Sequence, residues 1–258
     1  MTYRNLYCIV MLSAILLASA CSTKQESMPA KAEAASEADA ELRLEGDSTI
    51  YGLACDGCND TILILLSRIE DDPDTFNILD ASRSHHVFGR PKIGDKIAIV
   101  VNRDDSTVAD IVINTEVLKG EWCYMVTPKL RERAGMNKEM VGKARNPEAD
   151  SIIKAMLQPQ EFGIEIKGEQ MVSPIGPSRN KIADENSPVI FPPFKRYRQW
   201  HLYNGQLILS ETSRNTLGNV SITNNDTAAF VMLRRDTLVL RFSDKEQGYY
   251  RRNKENKN

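Results

Sequence analysis

Short apolar runs of strand length, separated by turn residues, fill most of this chain beyond residue 48. The early ones are STIYGLA, TILILLS, FNILDA, KIAIVV and VADIVIN. They are rich in β-branched residues and are bounded by Asp, Asn, Gly or Pro, which is typical of short strands. The pattern predicts an all-β fold in which residues 48–115 form a small N-terminal β module.

The second half of the chain carries hairpin signals as well. QWHLYNGQLILS places two strand-like runs around Asn204-Gly205, a strong signal for a tight turn. In RRDTLVLRF, Leu238 and Leu240 share one face of a predicted strand and the polar Thr237 and Arg241 lie on the other, which predicts a strand with one face on the core. A succession of hairpins closes most economically as an antiparallel up-and-down barrel, because closure leaves no edge strand exposed.

A tryptophan near the start of this half and a late arginine add to the barrel prediction. Gly120-x-Trp122 opens a strand in VLKGEWCYMVTP, and the QWHLYNGQLILS hairpin, the DTLVL strand and a terminal GYYRR follow in order. This series resembles the lipocalin-like domains of bacterial lipoproteins over residues 117–252. The resemblance implies a lipocalin-like barrel in which Arg251, or its neighbour Arg252, packs over Trp122 and closes one end. Such a cation–π contact contributes on the order of 1 kcal/mol, and the pair would be structural rather than catalytic.

The N-terminal module carries a weaker resemblance. In GRPKIGDKIAIVV, Gly94-Asp95 supplies a turn, and Ile97, Ile99 and Val101 then alternate along a strand. This phrase resembles the turn that leads into a strand in OB-like barrels, so the resemblance implies a small OB-like barrel at 48–115. An unspecified barrel or sandwich uses the same turn, and both alternatives stay open.

The N-terminus has the pattern of a signal peptide. Arg4 is followed by an apolar run that is too short to span a membrane comfortably, and small residues then lead directly to Cys21. ASAC resembles the bacterial lipoprotein signal, which implies that residues 1–20 are removed and that Cys21 is acylated, with palmitate among the expected chains. By the same resemblance, Ser22 favours the outer membrane, and nothing in the sequence indicates which side of it. An ordinary secretory signal or an uncleaved anchor remain alternatives.

The segments that flank the two β regions are polar. Residues 21–47 lack aromatic residues and are rich in Ala, Ser and Glu, which predicts a tether, and residues 253–258 form a polar tail. The net charge is −2, and the loss of residues 1–20 would remove one arginine and no acid. Because no long basic stripe is present, nucleic acid is not expected as a partner.

Cys55 and Cys58 frame an Asp-Gly pair between two strand-like runs. A redox C-x-x-C motif needs a thiol at a helix N-terminus, and Asp56 would disfavour a nearby thiolate. A zinc site would need further ligands, for which only Cys123 and the pair His85-His86 are candidates. Because an exported chain meets oxidising conditions, a structural disulfide that fixes the turn is the favoured prediction. Redox and metal roles remain alternatives.

The histidines do not form a convincing site. Adjacent residues of a strand point to opposite faces, so His85 and His86 are not expected to share a metal, and their surroundings favour a solvated loop. His201 follows Trp200 in a predicted strand, and we expect its side chain to lie on one face of the sheet without a role as a metal ligand. We therefore predict neither a metal site nor a cofactor.

Two insertions interrupt the predicted barrel. Residues 129–160 are charged and rich in helix formers, which predicts a surface helix or loop, or alternatively a lid over the barrel mouth or a docking helix for a partner. The proline-rich stretch PIGPSRNKIADENSPVIFPPF predicts an irregular loop.

Motifs of known enzyme classes are missing from the sequence. It has no G-x-S-x-G elbow, phosphate loop or H-E-x-x-H, so no enzymatic activity is expected. Asp and Glu are plentiful but no pair is singled out by its context, so a carboxylate dyad stays an open alternative. The predicted function is that of a membrane-anchored envelope lipoprotein that binds a small apolar ligand, or an envelope partner, through its barrel. The alternatives are a thiol-redox or metal-binding protein that uses Cys55 and Cys58, and a purely structural component. The sequence does not indicate an oligomeric state.

Overall fold

A computed structural model of the chain describes residues 45–68, 70–131, 147–178, 187–214 and 220–252. The predicted signal peptide at 1–20, Cys21 and most of the predicted tether lie outside these residues, as does the predicted tail at 253–258. No helix in the described ranges is both long and apolar enough to cross a membrane.

The N-terminal part forms a six-stranded sheet with the order β3-β2-β1-β5-β6-β4. All neighbours are antiparallel except the pair of β4 and β6. Asn77, at the end of β3, also makes an isolated parallel bridge to Val108, just before β6. The strands are β1 Thr49–Ala54, β2 Ile62–Leu66, β3 Asp74–Asn77, β4 Val87–Phe88, β5 Lys96–Val101 and β6 Ala109–Asn114.

The prediction of a strand over FNILDA is wrong in its second half. The strand ends at Asn77, and helix α1 covers Leu79–Arg83. The side chain of Asn77 accepts a hydrogen bond from the backbone N–H of Leu79 at 3.0 Å, a local contact that turns the chain out of the strand. Ile78 and Ala81 are both buried, so the apolar residues of this run serve a turn and a helix face.

An eight-stranded antiparallel sheet follows, and it forms the nearly closed barrel that the hairpin signals predict. Its order is β10-β9-β7-β16-β15-β14-β13-β12. Between the two end strands, Val172 N–H donates to Arg198 O at 2.8 Å, and Trp200 N–H donates to Gln170 O at 2.8 Å. The strands are β7 Gly120–Val126, β9 Gln160–Ile166, β10 Val172–Ile175, β12 Gln199–Tyr203, β13 Gln206–Arg214, β14 Val220–Leu233, β15 Thr237–Arg241 and β16 Glu246–Arg251.

Two features of the barrel follow from local sequence. Asn204 and Gly205 both adopt positive φ, 47° and 79°, as the tight turn between β12 and β13 requires. Leu238 and Leu240 are fully buried, as their alternation along β15 predicts.

The insertions add small elements outside the barrel sheet. Helix α3 spans Pro147–Met156, inside the predicted helical insertion at 129–160. A two-stranded sheet pairs β8, Lys129–Leu130, with β11, Val189–Ile190, from the proline-rich stretch. A role of the insertion as a lid or docking helix stays a prediction.

A short helix connects the two sheets. Helix α2, Thr115–Leu118, is capped by Asn114, whose side chain accepts from the N–H groups of Glu116 and Val117 at 3.0 Å each. Buried residues of both sheets belong to one hydrophobic cluster, in which Phe88 and Ile113 join the barrel residues. The two sheets therefore share part of their core.

Candidate functional site

A cavity of about 780 Å³ opens at one end of the barrel. Its walls come from β7, β9, β14 and β16, together with the turn after β15 and residues 192–197. Polar and charged side chains of the lining are Lys195, Asn225, Asp226, Thr227, Ser243, Asp244 and Lys245. Five aromatic side chains line the cavity as well. These are Tyr124, Phe194, Tyr197, Phe242 and Tyr249.

The inward aromatic residues follow from the alternation of the strands. On β7, Trp122 and Tyr124 are two residues apart and face the interior, whereas Met125 is exposed on the outside. The rings of Tyr124 and Tyr249 meet edge to face, with centroids 5.4 Å apart. Burial raises the pKa of both tyrosine hydroxyls, so they remain protonated and can donate hydrogen bonds.

Two carboxylates, those of Asp226 and Asp244, line the cavity, and Asp226 is held by hydrogen bonds. Asp226 lies on β14, two residues before Ala228, which is fully buried in the barrel. It accepts hydrogen bonds from Tyr197 Oη at 2.5 Å and from Lys195 Nζ at 2.6 Å. Burial, and then the hydrogen bond to Asp226, raise the pKa of Tyr197. Asp226 and its two partners therefore form a fixed polar group that can orient a bound molecule.

A proline-containing segment packs at the mouth of the cavity. Phe191 and Phe194 contact Phe162 of β9, with ring centroids 5.9 and 5.0 Å away. Pro192 and Pro193 lie between them and line the cavity. The irregular loop predicted from the sequence therefore supplies part of the cavity wall.

The opposite end of the barrel is closed around Trp122. Arg251 lies over the indole, with Cζ 4.2 Å from the ring centroid, so the two residues that the family resemblance paired are in contact. The guanidinium also donates to the carbonyls of Val117 at 2.5 Å and Lys119 at 2.8 Å. Trp122 is fully buried and donates from Nε1 to Leu118 O at 2.7 Å. These contacts join the end of the barrel to α2.

Cys55 and Cys58 are free thiols, so the structure does not show the predicted disulfide. They lie in the connection between β1 and β2, where Gly57 adopts a φ of +91°. Cys58 Sγ accepts from Ile64 N–H at 3.3 Å and lies 3.1 Å from the carbonyl oxygen of Cys55, to which its S–H donates. The two cysteines follow the end of β1 and do not lie at a helix N-terminus. The sequence pattern, which places them between two strand-like runs, predicts this position.

The other candidate ligands are scattered. Cys123 is fully buried, and burial raises the pKa of its thiol to about 11, so it is unreactive in the folded chain. His85 and His86 are exposed in the turn after α1, and His201 is half-buried on β12. Within the described ranges, no three His, Cys, Asp or Glu side chains lie close enough to hold a metal ion.

Sequence reasoning missed the polar part of the cavity. Lys195 and Tyr197 follow the proline-rich stretch, and Asp226 lies in the middle of a long strand, so no local motif links them. The one signal available is the alternation along β14, which places Asp226 on the same face as Ala228 and Phe230.

Comparisons with known proteins give one distant neighbour. No protein-family model matches the chain, and no curated protein matches it. A crystal structure of a lipocalin-like protein from Bacteroides thetaiotaomicron is 17% identical, with the match covering 52% of this chain and 95% of that chain at a TM-score of 0.27. Neither the barrel nor the cavity described above rests on this likeness.

Proposed function

We propose that the barrel cavity binds a small, largely apolar molecule. The observation that carries the proposal is the group of five aromatic side chains in the walls of a space of about 780 Å³. Small-molecule sites usually measure about 300 to 1,000 Å³ and combine apolar walls with a few fixed polar groups. The rings of Tyr124, Tyr249 and Phe242 form apolar walls, and Asp226 with its partners supplies fixed polar groups. Residues 243–245 add further polar side chains to the lining.

The test is binding of an uncharged fluorescent probe, N-phenyl-1-naphthylamine, to the wild type and to two variants. Ile164→Trp places an indole at the inner wall of the cavity, because Ile164 lines it from β9. Met125→Trp adds the same side chain on the exposed outer face of β7. We expect saturable binding by the wild type and by Met125→Trp, and a loss of affinity of at least about tenfold in Ile164→Trp.

Two results would count against the cavity as a ligand site. One is the absence of saturable binding by the wild type, and the other is equal affinity of Ile164→Trp and the wild type. Thermal unfolding of both variants, measured in parallel, shows whether the barrel is intact in each of them.

The proposed setting is the bacterial outer membrane, with the chain anchored through acyl chains on Cys21. Support comes from the ASAC pattern and from Ser22. Acyl chains contribute roughly 0.8 kcal/mol per buried methylene, so several chains on one cysteine hold a protein firmly at a membrane. Cys21→Ser should move the protein from the membrane fraction to the soluble fraction. Retention of the variant in the membrane would refute the anchor.

The finer fold assignments belong to the same proposal. A lipocalin-like barrel is supported by the Gly120-x-Trp122 opening and by the contact of Arg251 with Trp122. An OB-like N-terminal module is supported by the bridge of Asn77 to Val108, which brings the end of β3 next to the start of β6. We propose no enzymatic activity, because the sequence contains no G-x-S-x-G elbow, phosphate loop or H-E-x-x-H.

A further inference from the structure

A second cavity, of about 740 Å³, lies outside the barrel. One wall comes from the β1–β2 connection, from α1 and from β4 with the loop after it. The other wall is the end of β14, residues 231–234. We call this space the outer cleft. Its apolar part is formed by Ile78, Leu79, Val87, Phe88, Val231 and Leu233.

Cationic side chains surround this apolar part. Arg83, Arg90 and Arg234 line the outer cleft together with His85, and Asp60 is the one carboxylate in its lining. Asp60 faces Arg90 at 3.9 Å, and both side chains are at least 80% exposed, so this ion pair is weak. In the part of the chain that the structure describes, neither Arg83 nor Arg234 pairs with a carboxylate.

The walls of the outer cleft are held together by direct contacts. Gly89 N–H donates to Leu233 O at 3.0 Å, and the rings of Phe88 and Phe230 lie 5.3 Å apart. Gly89 has a φ of +78°, and a Cβ there would lie 2.9 Å from the Cβ of Asn114. Glycine is therefore favoured at this position, where β4 meets the end of β14.

We infer that the outer cleft binds a small amphipathic anion. A carboxylate, phosphate or sulfonate group would pair with the guanidinium groups of Arg83 and Arg234, and the apolar body would lie against Phe88 and Val231. This site differs from the barrel cavity in its charge. The barrel cavity is lined by two aspartates and two lysines, whereas the outer cleft is lined by three arginines and one aspartate.

The test uses an anionic probe, 8-anilinonaphthalene-1-sulfonate, and the double variant R83Q/R234Q. The control is R68Q/R103Q, which removes the same charge at two exposed arginines that do not line the outer cleft. We expect R83Q/R234Q to lose at least about tenfold in affinity for the anion and the control to lose little. Binding of uncharged N-phenyl-1-naphthylamine should be unchanged in both variants.

Three results would overturn the inference. They are no saturable binding of the anion by the wild type, equal affinity of R83Q/R234Q and the control, and loss of anion binding in Ile164→Trp instead. The last result would place the anion in the barrel. When the wild type binds the anion, competition by dodecanoate and by dodecyl phosphate distinguishes a fatty-acid ligand from a phosphorylated lipid. The compound with the preferred head group should displace the probe at the lower concentration.

Discussion

Replacement of Arg251 by methionine should destabilise the chain strongly. The guanidinium makes three hydrogen bonds to backbone carbonyls, at 2.5 Å to Val117, 2.8 Å to Lys119 and 2.5 Å to Arg235. It also covers the ring of Trp122 at 4.2 Å. Methionine retains much of the apolar stem but none of the donors, so the carbonyls at this end of the barrel lose their partner.

The size of the effect follows from these contacts. A hydrogen bond from a charged donor contributes about 1.5 to 3 kcal/mol, and a cation–π contact contributes about 0.5 to 1 kcal/mol. Because Arg251 is half-buried and one guanidinium makes all of the contacts, solvent screening and non-additivity reduce the sum. We expect Arg251→Met to lower the free energy of unfolding by about 3 to 5 kcal/mol.

Arg241→Met is the matched control. Arg241 pairs with Glu246 at 3.2 Å, and the two side chains are 63% and 49% exposed. Such a pair contributes at most about 1 kcal/mol. Urea unfolding followed by the fluorescence of Trp122 and Trp200 measures both variants. Equal losses in the two variants would refute the closing role of Arg251.

Gly120 gives an independent check of the same contact. It has a φ of +133°, and a Cβ there would lie 2.2 Å from Nη1 of Arg251. Gly120→Ala should therefore displace the guanidinium as well as strain the backbone. In the Arg251→Met background, Gly120→Ala should cost measurably less than in the wild type. Additive losses would show that Gly120 and Arg251 do not act together.

Two further predictions concern titratable groups. Burial lowers the pKa of His201 below its ordinary 6.5. As the pH falls through 6.5, the unfolded chain therefore binds a proton at His201 more readily than the folded chain does. The free energy of unfolding should decrease over this pH range. His201→Gln should flatten that part of the curve of unfolding free energy against pH, and an unchanged curve would contradict the assignment. Alkylation of the reduced, folded chain at mildly basic pH should label Cys55 and Cys58 but spare Cys123, whose pKa is about 11; labelling of Cys123 at the same rate would contradict its burial. If Cys55 and Cys58 form the predicted disulfide, both should resist alkylation in protein that has not been reduced.

The barrel was predictable from the sequence because its signals are local. Alternation buries Leu238 and Leu240, and the turn at Asn204-Gly205 needs residues that tolerate positive φ. The contact of Arg251 with Trp122 was predictable only through a family resemblance, since 128 residues separate the pair and no local pattern links them.

The cavities were not predictable in the same way. Tyr197 reaches Asp226 across 29 positions of sequence, and the contact depends on how the segment after the prolines folds back on β14. The outer cleft likewise joins Arg83 of α1 to Arg234 after β14. The error over FNILDA has a simpler cause, because short apolar runs suit a strand or a helix face equally well and the side chain of Asn77 decides between them.

Native mass spectrometry of the full-length protein, isolated from membranes under mild conditions, tests the proposed ligand site most directly. The wild type should carry an additional small molecule that is released on denaturation, and Ile164→Trp, with its barrel cavity filled, should carry much less of it. Two results would contradict the barrel cavity as the binding site. One is a wild type that carries no additional small molecule, and the other is equal occupancy of the wild type and Ile164→Trp.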